Sequence, residues 1–176
     1  MLRNLPQGYF VLLVLTIFVN MGMGIVIPVL PSLVVETTNN VASLSWPFLT
    51  LVAFRIFSKP FAGHIIGKIG AKRVLQVMFL FFGASFILYT FADTLVMFSG
   101  IRAIEGIAEG IAAVVLLETA LLLTKGKKNS GYLMGLFSSS FGIGYIFGPA
   151  VGSLLYVLFG KASMFYFGVT TSVLGV

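Results

Sequence analysis

Gly63-His-Ile-Ile-Gly67-Lys68-Ile-Gly70-Ala-Lys72-Arg73 joins two long apolar runs, Ser43–Ile66 before it and Val74–Ala92 after it. Each run is about as long as, or longer than, the roughly 20 residues a helix needs to cross a bilayer, and a barrel strand needs only about half that. The short stretch between them is glycine-rich and basic. It reads as a turn held in water between two buried arms, which makes the pair a membrane hairpin.

Outward from that hairpin the pattern repeats. Further apolar segments run Tyr9–Pro31, Thr94–Leu122, Tyr132–Phe159 and Ala162 to the last residue, giving six in all with short polar linkers. The first is too long for a signal-peptide core and has no small-residue cleavage site, so it reads as a retained helix. Of 176 residues 59% are hydrophobic and 9% charged, and mean hydropathy is +1.08. A soluble domain carries roughly a quarter charged residues. A lipid-facing chain must satisfy its own backbone, so the expected fold is an all-α membrane bundle. The last segment is short of a full span and no polar anchor follows Val176, so the chain is expected to stop inside an incomplete sixth helix at 162–176.

Net charge is +6. Most of the basic residues fall in short clusters between the apolar segments, so topology accounts for them and no nucleic-acid partner is implied. Arg3, Lys68, Lys72, Arg73, Lys125, Lys127 and Lys128 lie on one side of the predicted topology, against Lys161 on the other. Basic loops stay inside, so the N-terminus is expected in the cytoplasm of a multi-pass protein of the plasma (bacterial inner) membrane. Trp46, Tyr89 and Tyr156 then fall near the outer interface, with Tyr9 and Tyr132 near the inner one.

Ionisable residues at membrane depth are functional candidates by default. Here they are Arg55 and Lys59 in the second segment, and Arg102, Glu105, Glu109 and Glu118 in the fourth. At about 1.5 Å per residue, Arg55 and Glu105 lie about 17 Å along their helices, with Lys59 and Glu109 one turn deeper. The expectation is a two-rung ladder, Arg55 with Glu105 and Lys59 with Glu109, in which Arg102 shares Glu105. Such charges suit a proton relay, with Glu109 the candidate carrier, or static bridges that set helix register. Arg55 and Lys59 also favour an anionic or zwitterionic cargo over a cation. Asn20 is a lone polar group near the middle of the first segment, a candidate for lining a cavity or for an interhelical hydrogen bond.

In the fifth segment Gly144, Gly148 and Gly152 recur every four residues, a smooth stripe along which another helix can approach. Pro149 removes one backbone hydrogen bond and is expected to kink that helix.

With these motifs the chain resembles the major facilitator superfamily, in its drug:proton antiporter branch. Gly63, Lys68, Gly70, Lys72 and Arg73 match the family's loop signature. Arg102 and Gly106 match its fourth-helix signature, and Gly144, Gly148, Pro149 and Gly152 its antiporter signature. The resemblance implies that residues 1–176 form the six-helix N-terminal half of a transporter, two inverted three-helix repeats with the last helix truncated. It implies proton-coupled efflux of small organic molecules by alternating access against a missing C-terminal half, and associates Arg102 with proton coupling. One position departs: where the loop signature has an acid, this chain has Gly67. The implied latch to the other half is then weaker or made elsewhere, with Glu118 a candidate partner for Lys72 or Arg73.

Alternatives are an importer or uniporter of the same superfamily, and a nonfunctional fragment. There is no Cys, one His (His64), no G-x-S-x-G and no H-E-x-x-H. Hydrolysis is therefore not expected, and the bilayer, a small-molecule substrate and protons are the implied partners, with no cofactor and no metal.

Overall fold

The computed structural model describes residues 8–160 together with Val169 and Thr170. Arg3, Lys161 and the expected sixth helix at 162–176 fall outside this description, save for Val169 and Thr170, which are helical.

The described chain is helical. α1 (Tyr9–Ile25) and α2 (Leu30–Thr38) are followed by a short 3-10 turn (Val41–Leu44) and by α3 (Ser45–Ile69), α4 (Ala71–Tyr89), α5 (Leu95–Thr124) and α6 (Ser130–Phe159). Taking α1 and α2 as one interrupted span, five helices among the described residues are long and apolar enough to cross a membrane.

The first span differs from its sequence reading. It does not end at Pro31 but continues to Thr38 after a break at 26–29. Proline explains both halves of this. Pro28 has no N–H to continue the ladder of α1, and the chain closes tighter bonds there, such as Ile27 N to Gly24 O at 3.2 Å. Pro31 lies in the first turn of α2, where a missing N–H has no intrahelical partner to lose. The hairpin turn shrinks to one residue between α3 and α4. Gly70 has φ +82°, a left-handed conformation strained for residues with a side chain, so the turn requires glycine there.

α5 is central, packed along α3 and α4, while α1 packs along α6. Span one therefore lies on span five, and span two on span four. Exchanging spans one to three with spans four to six maps one pair onto the other, which fits the expected internal repeat. Both contacts are built on glycine. A Cβ on Gly148 would sit 2.6 Å from Met21 O, and one on Gly144 would sit 2.7 Å from Ile17 O. A Cβ on Gly110 would sit 2.5 Å from Arg55 O, and one on Gly106 would collide with Leu51 O. Helix backbones meet at these points, as small residues allow where lipid offers no hydrophobic drive to associate. Pro149 lies inside an unbroken α6, and its ring packs on Gly24.

The outer surface is apolar. Phe57, Val96, Ile146 and Val157 are each more than two-thirds exposed, a surface suited to acyl chains and not to water. Tyr9 and Tyr89 turn inward from the lipid-facing surface. Both are buried, because each hydroxyl finds an internal acceptor: Tyr9 donates to Leu133 O at 2.5 Å and Tyr89 to Glu105.

Candidate functional site

A cavity of about 130 Å³ opens between α1, α3, α4, α5 and α6. Its apolar wall includes Met23, Phe48, Leu51, Phe82 and Phe86, and its polar groups are Arg55, Arg102, Glu105, Glu109 and Tyr145. Four of the five charges of the expected ladder thus converge on one space.

They pair differently from the ladder. Arg55 Nη1 lies 2.5 Å from Glu109 Oε1, and Arg102 Nη1 lies 2.9 Å from Glu105 Oε2. Lys59 is exposed and forms no ion pair among the described residues. The reason is register. Helix starts placed Arg55 level with Glu105, but α3 and α5 interlock where Gly106 meets Leu51 and Gly110 meets Arg55. That contact slides α5 by about one turn and brings Glu109, not Glu105, to Arg55. Glu105 is then served from its own helix by Arg102, three residues before it, as neighbours on one helical face can be.

Each carboxylate draws in a second span. Glu109 Oε1 also accepts from the Tyr145 hydroxyl of α6 at 3.1 Å, and Arg55 Nη1 approaches the same hydroxyl at 3.5 Å. Glu105 accepts from Ser85 Oγ at 3.1 Å and Tyr89 Oη at 3.0 Å, both on α4. The Arg102 guanidinium lies 5.7 Å from the centre of the Phe48 ring on α3, a cation–π distance. The two pairs differ in access. Side chains of Arg102 and Glu105 are 4% and 5% exposed, whereas Arg55 is 31% exposed beside a Glu109 at 4%. The first pair is almost wholly buried at the cavity wall; the second borders open space on its arginine.

Other expectations divide. Asn20 is buried but does not line the cavity: its Nδ2 donates to Thr16 O at 2.7 Å and its Cβ faces Gly144. The helix face of Asn20 packs on α6, and Gly22, Met23 and Ile27 of the same span reach the cavity. Gly63, Gly67, Lys68, Gly70, Lys72 and Arg73 cluster at the exposed α3–α4 turn, away from the cavity. Glu118 is exposed and pairs with neither Lys72 nor Arg73. Among the described residues no group of three His, Cys, Asp or Glu side chains could hold a metal. Sequence reading missed Ser85, Tyr89 and Tyr145 as partners of the buried acids. Tyr145 carried a signal, a polar group set beside Gly144 in the close-packed stripe.

The profile of the Major Facilitator Superfamily matches residues 12–176. The chain belongs to this superfamily. Its members are transporters, not enzymes. The tetracycline resistance protein of class H from Pasteurella multocida is 30% identical over 85% of the chain and 38% of its own length. Multidrug resistance protein 2 of Bacillus subtilis strain 168 is 24% identical over 93% of the chain and 41% of its own length. The class B tetracycline resistance protein of Escherichia coli is 28% identical over 80% of the chain and 35% of its own length. The chain thus spans about two-fifths of the length of these relatives.

Proposed function

We propose that this membrane protein is the N-terminal bundle of a secondary transporter that exports small organic molecules in exchange for protons, by alternating access against a second bundle. The observation that carries the reading is the Arg55–Glu109–Tyr145 cluster, which ties α3, α5 and α6 at the wall of the cavity. Opening the Arg55 contact leaves the Glu109 carboxylate in the bilayer without its positive partner, so release of the contact and uptake of a proton by that carboxylate go together. Reclosing expels that proton. Coupling between Glu109 protonation and movement of α3 against α6 is what an exchanger needs. Arg102 and Glu105 serve as the fixed element that positions α4 and α5.

The glycine contacts supply surfaces on which helices shift without losing packing, and the basic α3–α4 turn supports a cytoplasmic N-terminus in a bacterial inner membrane. The names of the relatives suggest tetracycline as the probe. The test is accumulation of tetracycline in everted vesicles carrying the protein. Accumulation that disappears when the pH gradient is collapsed, and in Glu109→Gln, supports exchange. Flux indifferent to the gradient would instead leave a uniporter.

A further inference from the structure

A groove of about 590 Å³ opens between the end of α5 and the start of α6, sharing no residue with the central cavity. Its apolar part holds Leu121, Leu122 and Met134, and its polar part holds Lys125, Ser130 and Gly131. Leu121 and Leu122 are each more than half exposed. α5 and α6 both have the length and composition to cross the membrane, so the turn at 125–129 that joins them meets a bilayer surface. The groove therefore runs from the hydrocarbon edge into the headgroup layer.

Charge selects the occupant. From Glu118 to Met134 the chain carries three lysines, Lys125, Lys127 and Lys128, against one acid, an excess of two positive charges. None of these lysines forms an ion pair among the described residues. Thr124 at the wall is committed to its own helix, donating to Ala120 O at 2.8 Å. The Ser130 hydroxyl makes no hydrogen bond among the described residues, so Lys125 and Ser130 are the free side-chain donors of the polar part. Glu118 also lines the groove. It precedes Lys125 by seven residues, two turns along the same face, and so lies about 10 Å deeper toward the membrane. That leaves the polar part to the cations. Topology accounts for lysines in this turn, but it requires no groove with an apolar floor beneath them. Basic pockets of this kind between membrane helices suit anionic lipid headgroups.

We propose that the groove between α5 and α6 binds an anionic phospholipid of the adjoining leaflet, with its phosphate on Lys125 and Ser130 and an acyl chain along Leu121, Leu122 and Met134. Lys127 and Lys128 raise the local potential without lining the groove. The site is separate from the central cavity and stands whether or not that cavity carries cargo.

The experiment is native mass spectrometry of the purified chain in detergent micelles, titrated with phosphatidylglycerol, phosphatidylethanolamine and glycerol phosphate, the two lipids matched in acyl chains. Phosphatidylglycerol is expected to bind saturably, roughly fivefold or more tighter than phosphatidylethanolamine, the worth of one net charge at the membrane surface. Glycerol phosphate is expected to give no saturable adduct. Lys125→Gln is expected to weaken phosphatidylglycerol by roughly fivefold or more. Lys72→Gln removes the same charge from the α3–α4 turn and is expected to stay within about twofold. Gly131→Met tests the groove itself. Nothing lies within 4 Å of the place its Cβ would take, so the fold accepts the side chain while the groove loses its space, and phosphatidylglycerol binding is expected to be lost. Should Lys125→Gln fail to fold, Gly131→Met and the ranking of the three ligands decide. Phosphatidylethanolamine binding as tightly as phosphatidylglycerol would give the groove to Glu118 and an ammonium, and would overturn the proposal. So would glycerol phosphate binding as tightly as the lipid, equal losses in Lys125→Gln and Lys72→Gln, or unchanged binding in Gly131→Met.

Discussion

Gly148→Ala tests the contact that joins the first span to the fifth. A Cβ at this position would lie 2.6 Å from Met21 O and 2.8 Å from Gly24 Cα, both backbone atoms that no rotamer change can move. Ordinary contact begins at 3.4 Å, so α1 and α6 must part by 3.4 − 2.6 = 0.8 Å. A gap of about that size forfeits a quarter to a half of the dispersion well for neighbouring atoms, and overpacking of this kind costs about 1–3 kcal/mol. Alanine also gains about 1 kcal/mol of helix propensity over glycine, which hides part of the loss. Gly142→Ala removes this ambiguity. It lies on the same helix with nothing within 4 Å of the place its new methyl would take, and gains the same propensity without the clash. The difference between the two variants therefore isolates the contact, and is expected at about 1–3 kcal/mol in favour of Gly142→Ala. Thermal or denaturant unfolding of the full chain in micelles reads it. Equal stability of the two variants, or a more stable Gly148→Ala, would refute the close approach and with it the packing of span one on span five.

The two ion pairs are expected to respond unequally. Glu105→Gln strands an almost wholly buried arginine and should cost about 3–5 kcal/mol, whereas Glu109→Gln leaves Arg55 beside open space and should cost distinctly less; unfolding midpoints in the opposite order would contradict the burial. Tyr145→Phe removes the 3.1 Å donor to Glu109 and should cost about 1.5–3 kcal/mol, and an unchanged midpoint would show that Tyr145 is no partner. Lys59→Ala should change stability by less than about 0.5 kcal/mol and leave flux intact, since Lys59 is exposed; a loss as large as that of Glu109→Gln would restore the Lys59–Glu109 rung.

Class and composition were legible in the chain before any fold was drawn. Long apolar runs, the basic turn at Lys68–Arg73 and charges confined to two spans required a helical membrane bundle, because lipid leaves no other way to satisfy a backbone. The spacing of Gly144, Gly148 and Gly152 also announced a helix contact, and the structure places α1 there. Candidate charges were readable for the same reason: at membrane depth an ionisable group stands out against its neighbours. Their pairing was not readable. It depends on how far one helix slides along another, and that distance is set by Gly106 and Gly110 meeting the backbone at Leu51 and Arg55, a contact between residues far apart in sequence. Counting from helix ends missed it by one turn, enough to exchange the partners of Arg55 and to send Lys59 outward. The same limit applied to Tyr9, Tyr89 and Asn20, whose polarity was plain but whose direction was not. Sequence determined which groups enter the membrane; only the tertiary register decided which of them meet.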